Sequence, residues 1–240
     1  MISKNEQLEQ LKALEDTIGI DFKNKDLIRQ VFVHRSYLNE NRNFDLGHNE
    51  RLEFLGDAVL ELVVTEYLFK NYPNPEGELT NWRAALVRGE RISEVGEVLH
   101  FEDFLLLSNG EQKNSGKAKK IILANTFEAL VGAIYLDKGY KVSKEFITKY
   151  LLIYFEEILA NELYIDPKSR LQELTQEKVG MTPEYEVHKE WGPDHAKHFL
   201  VGVYVNKKLI AEGEGASKQQ AQTEAAKKAV ELNNLEKLAN

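Results

Sequence analysis

The 240-residue chain contains no cysteine. Disulfide staples and thiolate metal sites are thereby excluded, and the lack fits a reducing compartment. No stretch approaches the roughly 20 apolar residues of a membrane span. The opening MISKNEQLEQLKALEDTIGI is charged and lacks an apolar run of signal-peptide length. These absences predict a soluble, cytoplasmic protein with no membrane partner. Internal repeats and low-complexity tracts are also missing. So is the positive charge common among nucleic-acid binders, since the net charge is −8. The imbalance is local, however. Residues 1–166 hold 20 Lys and Arg against 28 Asp and Glu, whereas residues 167–240 hold 11 of each. An acidic excess confined to the first part is what a cation site would contribute, so net charge excludes no function by itself.

What is present divides the chain in two. About 42% of it is hydrophobic, enough for real cores. Apolar residues recur at helical spacing in Leu8, Leu11, Leu14 and Ile18, in Leu52, Leu55, Val59, Leu62 and Val63, and in Phe127, Leu130, Val131 and Ile134. Breaks fall at Asn71 to Gly77, Ser108 to Gly116 and Asp137 to Gly139. Alternating strand patterns are absent there, so an all-α bundle is expected over residues 1–162. Beyond Asp166-Pro167 the pattern changes. A helix over Ser169 to Val179 precedes alternating runs at Glu184 to Lys189, Lys197 to Val205 and about Leu209 to Gly213. An Ala-rich helix from about Lys218 to Leu232 follows. This order, α-β-β-β-α, predicts a small α+β domain over residues 166–236.

The segment His48 to Leu60 reads HNERLEFLGDAVL. On a helix Glu50, Glu53 and Asp57 share one face, while Leu52, Leu55, Val59 and Leu62 are expected on another. Like charges on one stripe repel by a few tenths of a kcal/mol per pair. An acidic face is usually just solvated, but it is also the donor set that Mg²⁺ prefers. Gly56 inside this helix costs about 1 kcal/mol relative to Ala, which suggests close approach by a second helix. IILANTFEALVGAIYLD, Ile121 to Asp137, is the candidate. It sets Asn125 and Glu128 at i and i+3, with Gly132 and Ala133 leaving room for packing. Asn125 taken alone reads rather as an ordinary helix-interior residue hydrogen-bonded to a neighbour.

NERLEFLGDAVLEL at Asn49 to Leu62 closely resembles the motif of the ribonuclease III family, and ILANTFEALVGAIYLD resembles that family's second acidic segment. HRSY at His34 to Tyr37 and EGELTNWRAALV at Glu76 to Val87 are smaller matches, and the C-terminal region resembles a double-stranded-RNA-binding domain. The resemblance covers nearly the whole chain. It implies a Mg²⁺-dependent endonuclease (Mn²⁺ able to stand in) that cuts double-stranded RNA as a homodimer, leaves short 3′ overhangs, and processes ribosomal and messenger RNA. By position Glu50, Glu53, Asp57 and Glu128 match family carboxylates. Asn125 stands where the family usually has Asp, so it offers a carbonyl oxygen without charge. Glu53, Asn125 and Glu128 are expected as metal ligands, and Asp57 as the group that orients or deprotonates the attacking water, with Glu128 sharing that role. Glu50 is expected to hold substrate or a second ion. Phe54 either packs in the core or inserts into the partner subunit.

The resemblance also implies an RNA grip. Gln172 and Glu173 would meet 2′-hydroxyls. The loop Gly192-Pro193-Asp194-His195 resembles the family's minor-groove loop. Ser217, Lys218 and Gln219 open the last helix, where free N–H groups favour phosphate. Gln219 replaces a lysine usual there. Arg83 and Arg88 are candidates for further phosphate contacts. The rival reading is a double-stranded-RNA-binding protein whose nuclease domain is weakened by Asn125.

Overall fold

The computed structural model describes residues 3–113, 115–193 and 196–232. It divides into two compact units, Met1–Tyr164 and Ile165–Asn240. Among the described residues of the first unit the regular structure is helical, apart from one isolated bridge between Val33 and Leu106. Its helices are α1 (Lys4–Ile18), α2 (Lys25–Val31), α3 (Arg35–Glu40), α4 (Glu50–Asn71), α5 (Glu76–Leu86), α6 (Gly89–Val98), α7 (Lys117–Lys138), α8 (Tyr140–Tyr150) and α9 (Phe155–Ala160). Local chemistry sets several ends. Ser3 and Glu6 form a reciprocal capping box on α1. Gly139, at φ 79°, ends α7 where an L side chain would be strained.

Two 22-residue helices, α4 and α7, form the centre of this unit. Leu60, Val63 and Val64 of α4 pack with Phe127, Leu130, Val131 and Ile134 of α7, all fully buried. Removing one such Leu or Phe side chain costs about 2–5 kcal/mol. Leu62 departs from expectation, being 56% exposed rather than in the core. Val63, one residue on, turns further inward and takes the core position. Leu62 instead joins Phe54 and Phe69 in an apolar stripe on the outer side of α4, where they are 82% and 77% exposed.

The second unit carries α10 (Pro167–Val179), β1 (Glu184–Trp191), β2 (His198–Val205), β3 (Lys208–Gly215) and α11 (Lys218–Glu231). The sheet is antiparallel in the order β1-β2-β3. Asp166 caps α10 and Pro167 is its first residue, so the helix starts earlier than the Ser169 expected from pattern alone. Asn206 and Lys207, both at positive φ, make a two-residue turn that lets Lys208 pair with Val205, so β3 is longer than its alternating run. α11 lies directly on the sheet. A Cβ on Gly213 would fall 2.2 Å from the Ala225 nitrogen, and one on Gly215 2.6 Å from that of Ala221. Alanines and glycines here buy contact between backbones, and Leu171, Val203 and Val205 fill the remaining core. Among the described residues no helix is long and apolar enough to cross a membrane.

Candidate functional site

The site is made by a backbone contact. A Cβ on Gly56 would stand 1.7 Å from the Glu128 carbonyl oxygen, and one on Gly132 2.2 Å from that of Leu52. Only glycine at both positions lets α4 and α7 approach so closely. The approach brings the acidic face of α4 against Asn125 and Glu128 on α7. The Asn125 side chain lies near enough to the Glu53 carboxylate to favour its charged form, and Glu128 feels the charges of both Asp57 and Glu53. Asn49 anchors the start of α4. Its side chain is turned inward, donating to the Val31 carbonyl at 2.9 Å, while its backbone N–H donates to Val33. Glu50 and Glu53 occupy the first turn of α4, where the helix dipole offsets part of their repulsion.

The electrostatics of this cluster are unbalanced. Burial, with Asp57 and Glu53 nearby, pushes the Glu128 carboxyl up to about 7. Burial and the charges of Glu50 and Asp57 also raise Glu53, against the lowering effect of the Asn125 amide. Among the described residues no lysine or arginine pairs with Glu53, Asp57 or Glu128. Like charges that are partly buried without a counter-ion are costly, and a cation would relieve them. Among the described residues, however, no three carboxylate or imidazole side chains gather tightly enough to hold an ion alone. Mg²⁺ needs only one or two protein carboxylates and completes its shell with waters and substrate oxygens. The residues present fit such an ion, with the Asn125 carbonyl as an uncharged further donor.

Glu50 is the most outlying carboxylate, 44% exposed. It lies 3.4 Å from Arg35 Nη1 and 3.7 Å from His48 Nδ1. Arg35 sits in the HRSY segment, whose His34 caps α3 through Ser36. The signal was visible there, but nothing in the spacing tied residue 35 to residue 50.

In the second unit Gln172 and Glu173 are exposed on α10, and Glu173 lies 3.5 Å from Arg170. Pro193 is exposed between β1 and β2, while Asp194 and His195 lie outside the described residues. Ser217 caps α11 by accepting from the Gln220 N–H, leaving Lys218 and Gln219 exposed in the first turn. Lys218 Nζ stands 5.8 Å over the Phe199 ring. In the first unit, Arg83 donates to Thr65 at 3.1 Å, and Arg88 is exposed at the start of α6.

A family model described as Ribonuclease-III-like matches residues 24–154. A second, Double-stranded RNA binding motif, matches residues 167–233. The Ribonuclease 3 of Streptococcus gordonii is 44% identical over 229 residues, spanning 93% of this chain and 98% of that protein. The chain belongs to the ribonuclease III family of endoribonucleases. Ribonuclease 3 of Borreliella afzelii is similarly related, 42% identical over 94% of this chain and 92% of its own length. Among solved structures, a nuclease domain of ribonuclease III from Campylobacter jejuni matches with a TM-score of 0.53 and 38% identity, over 62% of this chain and 95% of that one. In this ribonuclease III chain the second helix of the site carries Asn125 and Glu128, and the outer side of α4 carries Phe54 beside an apolar groove of about 620 Å³. Leu27, Leu52, Leu55 and Leu136 line that groove, together with Glu50 and Arg51.

Proposed function

We propose that the chain is a divalent-cation-dependent endonuclease of double-stranded RNA that works as a homodimer, with residues 1–162 as nuclease and 166–236 as RNA-binding domain. The observation that carries the reading is the Gly56–Gly132 contact, which gathers unpaired carboxylates from two helices at one place. Glu53, Asn125 and Glu128 hold the ion, with Mg²⁺ the expected species and Mn²⁺ able to replace it. The bound ion supplies counter-charge for the phosphate and lowers the pKa of water. Asp57, exposed on the same face of α4, orients the attacking water and takes its proton. Glu128 shares that role. Glu50, steered by Arg35, faces substrate or a second ion. The products carry short 3′ overhangs, and the cytoplasmic setting is RNA processing.

The dimer reading rests on Phe54. An aromatic ring 82% exposed next to an apolar groove is unfavourable for a lone subunit. Knob and groove on one patch suit a two-fold interface, in which each copy fills the other. A Campylobacter jejuni relative is described as having a region involved in dimer formation in this same domain. Duplex RNA would be read by shape, through Gln172, Glu173, Pro193, His195, Ser217, Lys218 and Gln219, with Arg83 and Arg88 touching phosphate. The test is cleavage of a long RNA duplex with and without Mg²⁺, beside sedimentation of wild type and Phe54→Ala. Metal-dependent cutting into short duplexes is expected, with Phe54→Ala shifted towards monomer. Absence of cutting at saturating Mg²⁺ with intact duplex binding would favour the binding-protein rival, in which Asn125 has weakened the centre.

A further inference from the structure

One group in the second unit is used by nothing described so far. Trp191 ends β1 and pairs across the ladder with His198, which begins β2. Their rings stack, 5.7 Å between centroids and 18° from parallel. Lys189, two residues earlier and so on the same face of the strand, sets its ammonium 5.6 Å over the indole. All three side chains are exposed, and among the described residues Lys189 pairs with no carboxylate. Phe199, next to His198, is buried on the helix side, so the trio lies on the opposite face of the sheet.

Its place is informative. The segment from Gly192 leaves directly from Trp191, and the first turn of α11 lies at the same end of the sheet. Glu190, paired with Lys197 at 2.7 Å, feels the charge of Lys218, which itself stands over Phe199. The trio thus shares the β1–β2 loop end of the sheet with the duplex-RNA surface assigned above but lies on the face away from α11, so a strand leaving the duplex reaches it round that end of the sheet. The trio's chemistry is that of single-strand binders: an aromatic plane for a base and a mobile cation for the neighbouring phosphate.

We infer that Trp191, His198 and Lys189 form a stacking platform for an unpaired nucleotide of the RNA held by this domain. Duplex bases are stacked on each other and offer no free face, whereas a bulged or single-stranded base does. The platform thus adds preference for duplexes interrupted or flanked by unpaired nucleotides. The inference rests on the double-stranded-RNA reading. The alternative role for the Trp191–His198 pair is to close the β1–β2 hairpin, which would affect all RNAs alike.

The test compares three RNAs in EDTA, so that no strand is cut: a blunt duplex of about 16 base pairs, the same duplex with a central bulge, and the same duplex with a single-stranded extension. Wild type should bind at least one interrupted RNA about tenfold tighter than the blunt duplex. Trp191→Ala should erase that preference while leaving blunt-duplex affinity unchanged, and Trp191→Phe should keep most of it. Trp82, the other of two tryptophans, is buried, so acrylamide quenching reports on Trp191 and should fall only with the preferred RNA. Equal affinity of wild type for all three RNAs, or an equal loss on all three in Trp191→Ala, overturns the platform. Failure of wild type to bind any of them overturns the double-stranded-RNA reading with it.

Discussion

At the scale of single residues, position 125 is the one to change first. Its amide favours the charged form of the Glu53 carboxylate, whereas an aspartate there would repel it and attract a cation more strongly. Asn125→Asp should lower the Mg²⁺ needed for half-maximal cleavage, with the two rate curves converging as metal saturates. The added attraction is offset in part by desolvation of the new carboxylate. Superimposable curves would mean that residue 125 is no ligand. Glu128→Gln should separate catalysis from binding. It should abolish cleavage with duplex affinity nearly unchanged in a filter-binding assay. It should also stabilise the metal-free protein. The Glu128 carboxyl is pushed up to about 7 from 4.5, so at pH 8 its charge costs on the order of 2 kcal/mol. A rise of several degrees in Tm at pH 8 in EDTA is expected, and no rise at all would show that the cluster is better solvated than its burial implies.

At the scale of elements, the α4–α7 crossing decides whether there is a site at all. Gly56→Ala improves helix propensity by about 1 kcal/mol, yet its methyl would collide with the Glu128 backbone. Overpacking of this kind costs about 1–3 kcal/mol or more. The variant should melt lower and cut poorly, while Gly77→Ala, with nothing within 4 Å of its Cβ, should be close to neutral. α8 is tied to α4 differently. Glu66 accepts from Lys144 at 2.9 Å and from Lys70 and Tyr140 at 2.5 Å each. These partners, Lys144 foremost, hold its carboxyl at about 2, below the usual 4.5. A depressed carboxylate contributes stability above its unfolded pKa and loses it as pH falls through the folded value. Wild type should therefore lose more Tm between pH 4.5 and pH 2 than Glu66→Gln does, and parallel acid profiles would remove Glu66 as a clamp.

At the scale of the whole molecule, the two units have separate cores. A fragment ending at Tyr164 should fold cooperatively and sediment as a dimer, because α4, α7 and the Phe54 stripe are all retained. It should bind duplex RNA weakly at moderate salt, having lost the second unit's contacts while keeping the acidic excess. A monomeric fragment at micromolar concentration would contradict the dimer, and undiminished duplex binding would contradict the assignment of the grip to the second unit.

Much of this was legible in residues alone, because helix and strand periods are local properties. The spacing of Glu50, Glu53 and Asp57 on one helix and of Asn125 and Glu128 on another follows from 3.6 residues per turn. Gly56 and Gly132, costly in isolated helices, announced a close crossing before any coordinates. The α-β-β-β-α order was likewise written in alternation and turn residues, and small differences at strand ends came from pairing that a strand cannot show by itself. Tertiary structure alone decided the rest. Leu62 and Phe54 look like core residues by type, and only the packing of α4's neighbours determines which side of it stays uncovered. Arg35 meets Glu50, and Trp191 meets His198, through contacts that no local period encodes. Burial of Glu128, which raises its carboxyl in the metal-free protein, depends on what surrounds a side chain, and that is a property of the assembled fold.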